Sequence, residues 1–200
     1  MSRYLLVIFS ALLPTLSFGQ YNWKLKKDKD DIKVYTSDIP HSSFKAIKVE
    51  CTFTGNYAKL IAVVSNVAEF DKWVYHNKGT KLLKKNSPRD FIYYTETRMP
   101  WPLSNRDVII NMKIQTDSLP KFLLISGRAL PDLIPVIPTR VRVQKFSSNW
   151  KITMPTSNSI HIDYIVELDP GGSIPGWAAN MFADKGPFGS FSNLGVRLRQ

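Results

Sequence analysis

The chain has a single cysteine, Cys51, among 200 residues, so no intramolecular disulfide can staple it. Cys51 alternates with apolar neighbours and reads as a small buried residue rather than a reactive thiol. Histidine is almost as scarce. His41, His76 and His161 are scattered, and none belongs to a metal-ligand spacing or a nucleophile motif. Asp71 and His76 could approach one another across a helix end, but they have no obvious nucleophile partner. Gly171 and Gly172 lack the lysine of a phosphate-binding loop. Internal repeats, low-complexity tracts and long linkers are missing too, and no apolar run reaches the roughly 20 residues of a membrane-spanning helix. No metal and no cofactor are therefore implied.

Acidic residues are also few. Sixteen Asp and Glu face 27 Lys and Arg, a formal charge of +11. A field of that sign favours anionic surfaces, phospholipid headgroups or nucleic acid. Nucleic acid is demoted because no nucleic-acid motif is present. Lys24, Lys26, Lys27, Lys29, Lys84 and Lys85 sit in stretches that read as turn-like, solvated segments.

What is present begins with an export signal over residues 1–19. Arg3 precedes the apolar run from Tyr4 to Leu13, Pro14 breaks it, and Ser17 and Gly19 supply small residues before Gln20. The alternative is a retained N-terminal anchor. A periplasmic or secreted location is expected, and residues 20–200 suit one domain with a substantial core.

Along that domain the hydrophobic period changes twice. Trp23 to Lys27 and Ile32 to Thr36 read as a hairpin turned by Asp28 to Asp31, and Phe44 to Thr54 alternates as a half-buried strand. Asn56 then caps a helix running to about Asn66, and a second short helix carries Phe70, Trp73 and Val74. From Phe91 the two-residue period returns. Val108, Ile110, Met112 and Ile114 fall on one face and Asp107, Asn111, Lys113 and Gln115 on the other. Ile160, Ile162, Tyr164, Val166 and Leu168 separate in the same way from His161, Asp163 and Glu167. Further strands are expected at Lys121 to Ala129, Val141 to Phe146 and Trp150 to Met154, all antiparallel because the connections are too short for crossover helices. A terminal helix carries Ile174, Trp177, Ala178, Met181 and Phe182 on one stripe, is interrupted at Gly186 and Pro187, and resumes through Phe188, Phe191, Leu194 and Leu198. A curved antiparallel sheet around that helix gives an α+β fold.

Two stretches carry the reading further. Met99 to Asp107, with Pro100, Trp101 and Pro102 leading into Asn105, Arg106 and Asp107, resembles a pattern of the START domain, the lipid-transfer domain related to steroidogenic acute regulatory protein. Asp169 to Trp177 is similar to that family's approach to its C-terminal helix. The resemblance covers nearly all of the chain after residue 19, including the Trp23 to Tyr35 hairpin and the Asp71, Lys72, Trp73 segment. It implies a helix-grip fold enclosing a cavity for one lipid, sterol or other hydrophobic molecule, a non-enzymatic role in transfer or sensing, and a monomer. Close packing alone would favour a solid core instead. Enzymes of the wider superfamily leave a second reading open, a hydrolase or cyclase using the same cavity, with Asp71, His76 and Glu96 as the residues to test.

The resemblance and the strand phases together mark Phe70, Trp73, Tyr94, Glu96, Arg98, Trp101, Arg106, Val108, Ile110, Met112, Tyr164, Trp177, Met181 and Phe182 as ligand-binding. Arg106 shares phase with Val108, so its guanidinium requires a carboxylate, a phosphate or carbonyls; a salt-bridge network with Asp107 and headgroup recognition are the two readings. Leu130 to Pro138 holds three prolines and cannot be an ordinary strand or helix interior. By resemblance it is a gate, whose Leu133, Ile134, Val136 and Ile137 also bind the ligand and dip into a bilayer while Arg128, Arg140 and Arg142 attract anionic headgroups. The other reading of this segment is a satellite cluster packed on the sheet. Phosphatidylcholine carriers of the family look to place Arg and Asp where this chain has Phe70 and Val74, and sterol carriers a basic residue near Met112, so the expected pocket is more apolar than either.

Overall fold

The computed structural model describes residues 21–42, 44–116, 122–175, 178–179 and 181–200, with backbone only at Met181 and Phe182. The export segment expected over 1–19 lies outside the described residues. Among the described residues no helix is long and apolar enough to cross a membrane.

Ten strands form one sheet. They are β1 (Lys24–Lys29), β2 (Ile32–Asp38), β3 (Lys45–Thr54), β4 (Asn77–Ser87), β5 (Asp90–Thr97), β6 (Asn105–Thr116), β7 (Leu123–Ala129), β8 (Arg140–Arg142), β9 (Lys145–Thr156) and β10 (Ser159–Asp169). Their order is β1-β2-β3-β10-β9-β7-β6-β5-β4, antiparallel throughout, and β8 adds a short parallel pairing to the start of β6. The first hairpin turns where expected, on Asp30 and Asp31, both at positive φ, a conformation that aspartate tolerates better than most residues.

Two elements depart from the sequence reading. β4 was not expected as a strand, and most of its side chains are exposed. Its alternation is hidden because it forms one edge of the sheet, as β1 forms the other. The lysines read as turn-like therefore lie on strands, Lys24, Lys26, Lys27 and Lys29 on β1 and Lys84 and Lys85 on β4, where Lys78 and Lys81 join them. Lysine on an exposed edge discourages pairing with another chain. The stretches around Val141 and Trp150 also divide differently, since a short β8 is followed by one continuous β9.

After β3, the Asn56 side chain accepts a hydrogen bond from the Lys59 N–H at 3.0 Å and caps helix α1 (Tyr57–Ser65). A 3-10 segment, Val67–Lys72, follows directly. At the other end of the chain the expected terminal helix is less regular than its stripe suggested. A wide π-type turn, Met181–Lys185, runs into helix α2 (Gly186–Arg199), with Pro187 in the first turn, where no amide hydrogen is needed.

Helix α2 lies on the concave face of the sheet against β2 and β3, and also meets α1. Leu60, Leu194 and Leu198 are fully buried there, together with Val34, Val49, Ile160 and Ile162 from the strands. Each side chain of this size stabilises the fold by about 1.5–3 kcal/mol. Cys51 belongs to the same core, and burial pushes its thiol pKa well up.

Candidate functional site

The sheet curls, and α2 with the 3-10 segment does not fill its concave side. A cavity of about 240 Å³ remains, more than ten times the roughly 10–15 Å³ that admits a single water. Its walls come from β5, β6, β9 and β10, closed over by Phe70, Trp73 and Phe191. They are predominantly apolar, as ligand sites usually are. Aromatic edges organise the lining: Phe70 meets Trp73 and Tyr93 edge-on at 5.2 and 5.3 Å, and Trp150, Tyr164 and Phe191 form a mutual cluster at 4.9–5.2 Å.

His76 and Arg98 are the solvent-exposed lining residues, so they mark the mouth. The two are locked together: the Arg98 N–H donates to the His76 carbonyl at 2.8 Å, and His76 Nδ1 lies 3.3 Å from the Arg98 carbonyl. The Tyr75 ring stacks on His76 at 4.1 Å, and the Tyr75 N–H donates to Ser190 Oγ at 3.0 Å. That bond ties this rim to the first turns of α2, beside Gly186 and Pro187.

Eight of the residues marked from sequence line this space: Phe70, Trp73, Arg98, Arg106, Val108, Ile110, Met112 and Tyr164. Arg106 is buried, and its partners are carbonyls. The guanidinium donates to Ser104 O at 2.6 Å, Gly171 O at 3.3 Å and Pro170 O at 3.4 Å, pinning the start of β6 to the end of β10. Gly171 and Gly172, at φ +67° and +64°, make the turn that presents those oxygens, a conformation costly for residues with a Cβ. Burial pushes the Arg106 pKa down from its ordinary value.

Other expectations are corrected. Asp107 is not Arg106's partner and does not face solvent; it is fully buried against Arg142, whose Nε and Nη2 donate to both carboxylate oxygens at 3.0 Å. Glu96 and Tyr94 do not line the cavity. In the β5–β6 ladder Glu96 lies opposite Asp107, and Thr97 opposite Arg106, so Glu96 shares the outer face with Asp107. There it is held by Arg140 at 2.7 Å, Lys78 at 3.2 Å and Asn105 at 2.7 Å. Burial raises the Glu96 pKa, but the hydrogen bonds from Arg140, Asn105 and Lys78 outweigh it and hold the carboxyl below its usual range. Trp101 is 91% exposed and also lies off the cavity.

Leu133, Ile134, Val136 and Ile137 are not among the residues that line the cavity. Carbonyls of Pro131, Ile134 and Pro135 accept from the Arg142 guanidinium at 2.6, 3.1 and 3.2 Å, which fastens the loop over the outer face. Leu133 and Val136 remain 49% and 56% exposed. Trp177 and the side chains of Met181 and Phe182 lie outside what the structure describes.

Sequence reasoning missed Tyr93, Thr95 and Thr97 on β5, Phe146, Ser148 and Trp150 on β9, and Ser190 and Phe191 on α2. On β5 the run Phe91, Ile92, Tyr93, Tyr94 is apolar on both faces, so periodicity could not choose a phase. The ladder partner Arg106 was the available signal, had the register been known. Among the described residues no group of three His, Cys, Asp or Glu side chains could hold a metal ion. Asp71 is exposed and Glu96 lies on the outer face, which leaves His76, at the mouth, as the one cavity-lining member of the trio named for catalysis.

A family model described as START domain matches residues 12–193. An uncharacterized protein of Pseudomonas aeruginosa is 33% identical over 174 residues, covering 86% of this chain and 85% of that protein. The phosphatidylcholine transfer protein of Mus musculus is 23% identical over 169 residues, covering 82% of this chain and 78% of that one. The crystal structure of a STAR-related lipid transfer protein from Xanthomonas axonopodis superposes with a TM-score of 0.80 at 28% identity, covering 89% of this chain and 99% of that chain.

Proposed function

This chain belongs to the START domain family, and on that footing we propose that it binds one lipid or other hydrophobic small molecule in the cavity and carries or senses it outside the cytoplasm. The observation that carries the reading is the mainly apolar hollow of about 240 Å³ held open between the curled sheet and α2. That volume sits just below the roughly 300–1,000 Å³ of ordinary ligand pockets, which favours a compact or single-chain ligand over a two-chain phospholipid. The apolar Phe70 and Val74 on the cavity wall point away from a phosphocholine headgroup. The ligand passes the rim formed by Tyr75, His76, Arg98 and the first turn of α2. Arg98 and the positive charge of the whole chain bring that rim to an anionic membrane, and exposed Trp101, Leu133 and Val136 enter the headgroup region.

Native mass spectrometry of protein purified from its own host, followed by extraction and identification of the bound molecule, tests this reading. One apolar molecule per chain is expected. Val108→Trp, which fills the hollow, should abolish the bound species while the fold persists. A protein that emerges empty in every preparation and takes up no apolar probe would overturn the proposal. Export is tested separately by N-terminal sequencing of the mature protein, expected to begin near Gln20.

A further inference from the structure

Tyr93 and Tyr164 occupy an unusual position. They stand on β5 and β10, with β6, β7 and β9 between them in the sheet. In a flat sheet four strand spacings would separate them by about 19 Å, yet both line the same cavity. The curl of the sheet turns the two strands toward one another.

Both rings are fixed by neighbours, Tyr93 by Phe70 and Phe91 and Tyr164 by Trp150 and Phe191. Their hydroxyls make no hydrogen bond to any described residue. Both residues line the hollow, whereas Tyr94, whose enclosed hydroxyl has no partner among the described residues, does not. A phenol on an apolar wall with no partner among the described residues is a cost unless something in the hollow meets it, and here there are two in one cavity.

The mouth and the interior differ in chemistry. The charged residues of the lining, Arg98, Arg106 and Asp107, lie with His76 toward the rim, whereas Tyr93 pairs with Ile110, four residues along β6 from Arg106 and so about 13 Å deeper. No charged described residue lines the cavity at that depth, so a buried anion would find no counter-charge there. Burial pushes both phenol pKa values upward, and Tyr164 is raised further by its proximity to Tyr93. Both hydroxyls therefore keep their protons and can donate.

From this geometry we infer that Tyr93 and Tyr164 form a two-hydroxyl anchor for a neutral oxygen, a hydroxyl or a carbonyl, at the inner end of the apolar ligand. The inference rests on the cavity-binding reading above and narrows it: the ligand is oriented with an uncharged oxygen inward and its apolar body along Val108, Ile110 and Met112. Specificity against a ligand lacking that oxygen comes from leaving the two hydroxyls unsatisfied.

Calorimetric titration with two probes of equal heavy-atom number, 4-butylphenol and 4-butyltoluene, tests it. The parent protein should bind the phenol about tenfold more tightly, the size of one to two net hydrogen bonds. Tyr93→Phe and Tyr164→Phe should each reduce that preference, and the double variant should erase or invert it while its affinity for 4-butyltoluene stays unchanged or rises. The retained toluene affinity also shows that the cavity is intact. Equal binding of the two probes by the parent, or an undiminished preference in the double variant, overturns the anchor and leaves the cavity reading standing. Binding of neither probe by the parent overturns both.

Discussion

Asp107 and Arg142 show how much one residue's partner decides. Both side chains are almost wholly buried, and the same guanidinium that neutralises Asp107 also donates to three loop carbonyls. Arg142→Ala leaves a buried carboxylate without its counter-charge and the loop without its fastening. A loss of roughly 3–5 kcal/mol in urea unfolding is expected; a loss below about 1 kcal/mol would mean that water reaches Asp107. Glu96 gives a different test. Its pKa is held below the ordinary value by Arg140, Asn105 and Lys78 against the opposing effect of burial. With the folded pKa below the unfolded one, its contribution is full above the ordinary carboxylate pKa of about 4.3 and is lost as pH falls through the depressed value. Glu96→Gln should therefore be less stable than the parent at neutral pH, and the gap should narrow as unfolding is followed downward from pH 5. A gap that does not change with pH would rule out the ion pair as its source.

Helix α2 is held at glycines. A Cβ on Gly195 would lie 2.6 Å from the buried Phe53 ring, and one on Gly189 would lie 2.7 Å from the Tyr75 ring. Gly195→Ala gains up to about 1 kcal/mol of helix propensity but forces a buried ring to shift. A net loss of about 1–2 kcal/mol and a lower melting temperature are expected from overpacking. Tyr75 is only half-buried and sits at the rim, so Gly189→Ala should cost less while altering the rate at which an apolar probe enters. Equal stability losses at the two positions would contradict this account. The same logic explains the lysine-rich edge strands: β1 and β4 are defined by what they avoid pairing with, so their sequences show charge and little alternation.

The whole molecule combines a formal charge of +11 with apolar side chains displayed at Trp101, Leu133 and Val136. Co-sedimentation with vesicles of mixed phosphatidylcholine and phosphatidylserine should exceed that with phosphatidylcholine alone, and it should fall as salt rises from 50 to about 500 mM because exposed charges are screened. Leu133→Asp with Val136→Asp should weaken binding at every salt concentration. Salt-independent binding, or no effect of the double variant, would remove membrane contact from the proposed function. Ligand capture is separable, because neither residue lines the cavity.

Much was legible in the sequence because it rests on local chemistry. Alternation placed β3, β6 and β10, Asn56 announced the cap of α1, and the paired glycines at 171 and 172 marked the turn after β10. The apolar faces of those strands also named Val108, Ile110, Met112 and Tyr164 correctly as cavity lining. What stayed hidden depends on contacts between distant segments. The phase of β5 is fixed by its register with β6, which put Thr97 rather than Glu96 beside Arg106. That the proline-rich loop is fastened by Arg142, through the carbonyls of Pro131, Ile134 and Pro135, could not be read from the loop's own sequence. Tyr93 and Tyr164 come together only because the sheet curls across four strand spacings. Periodicity reports which side of an element is apolar, a property of a few consecutive residues; which apolar sides meet, and whether they leave a gap, is set by packing among segments far apart in the chain.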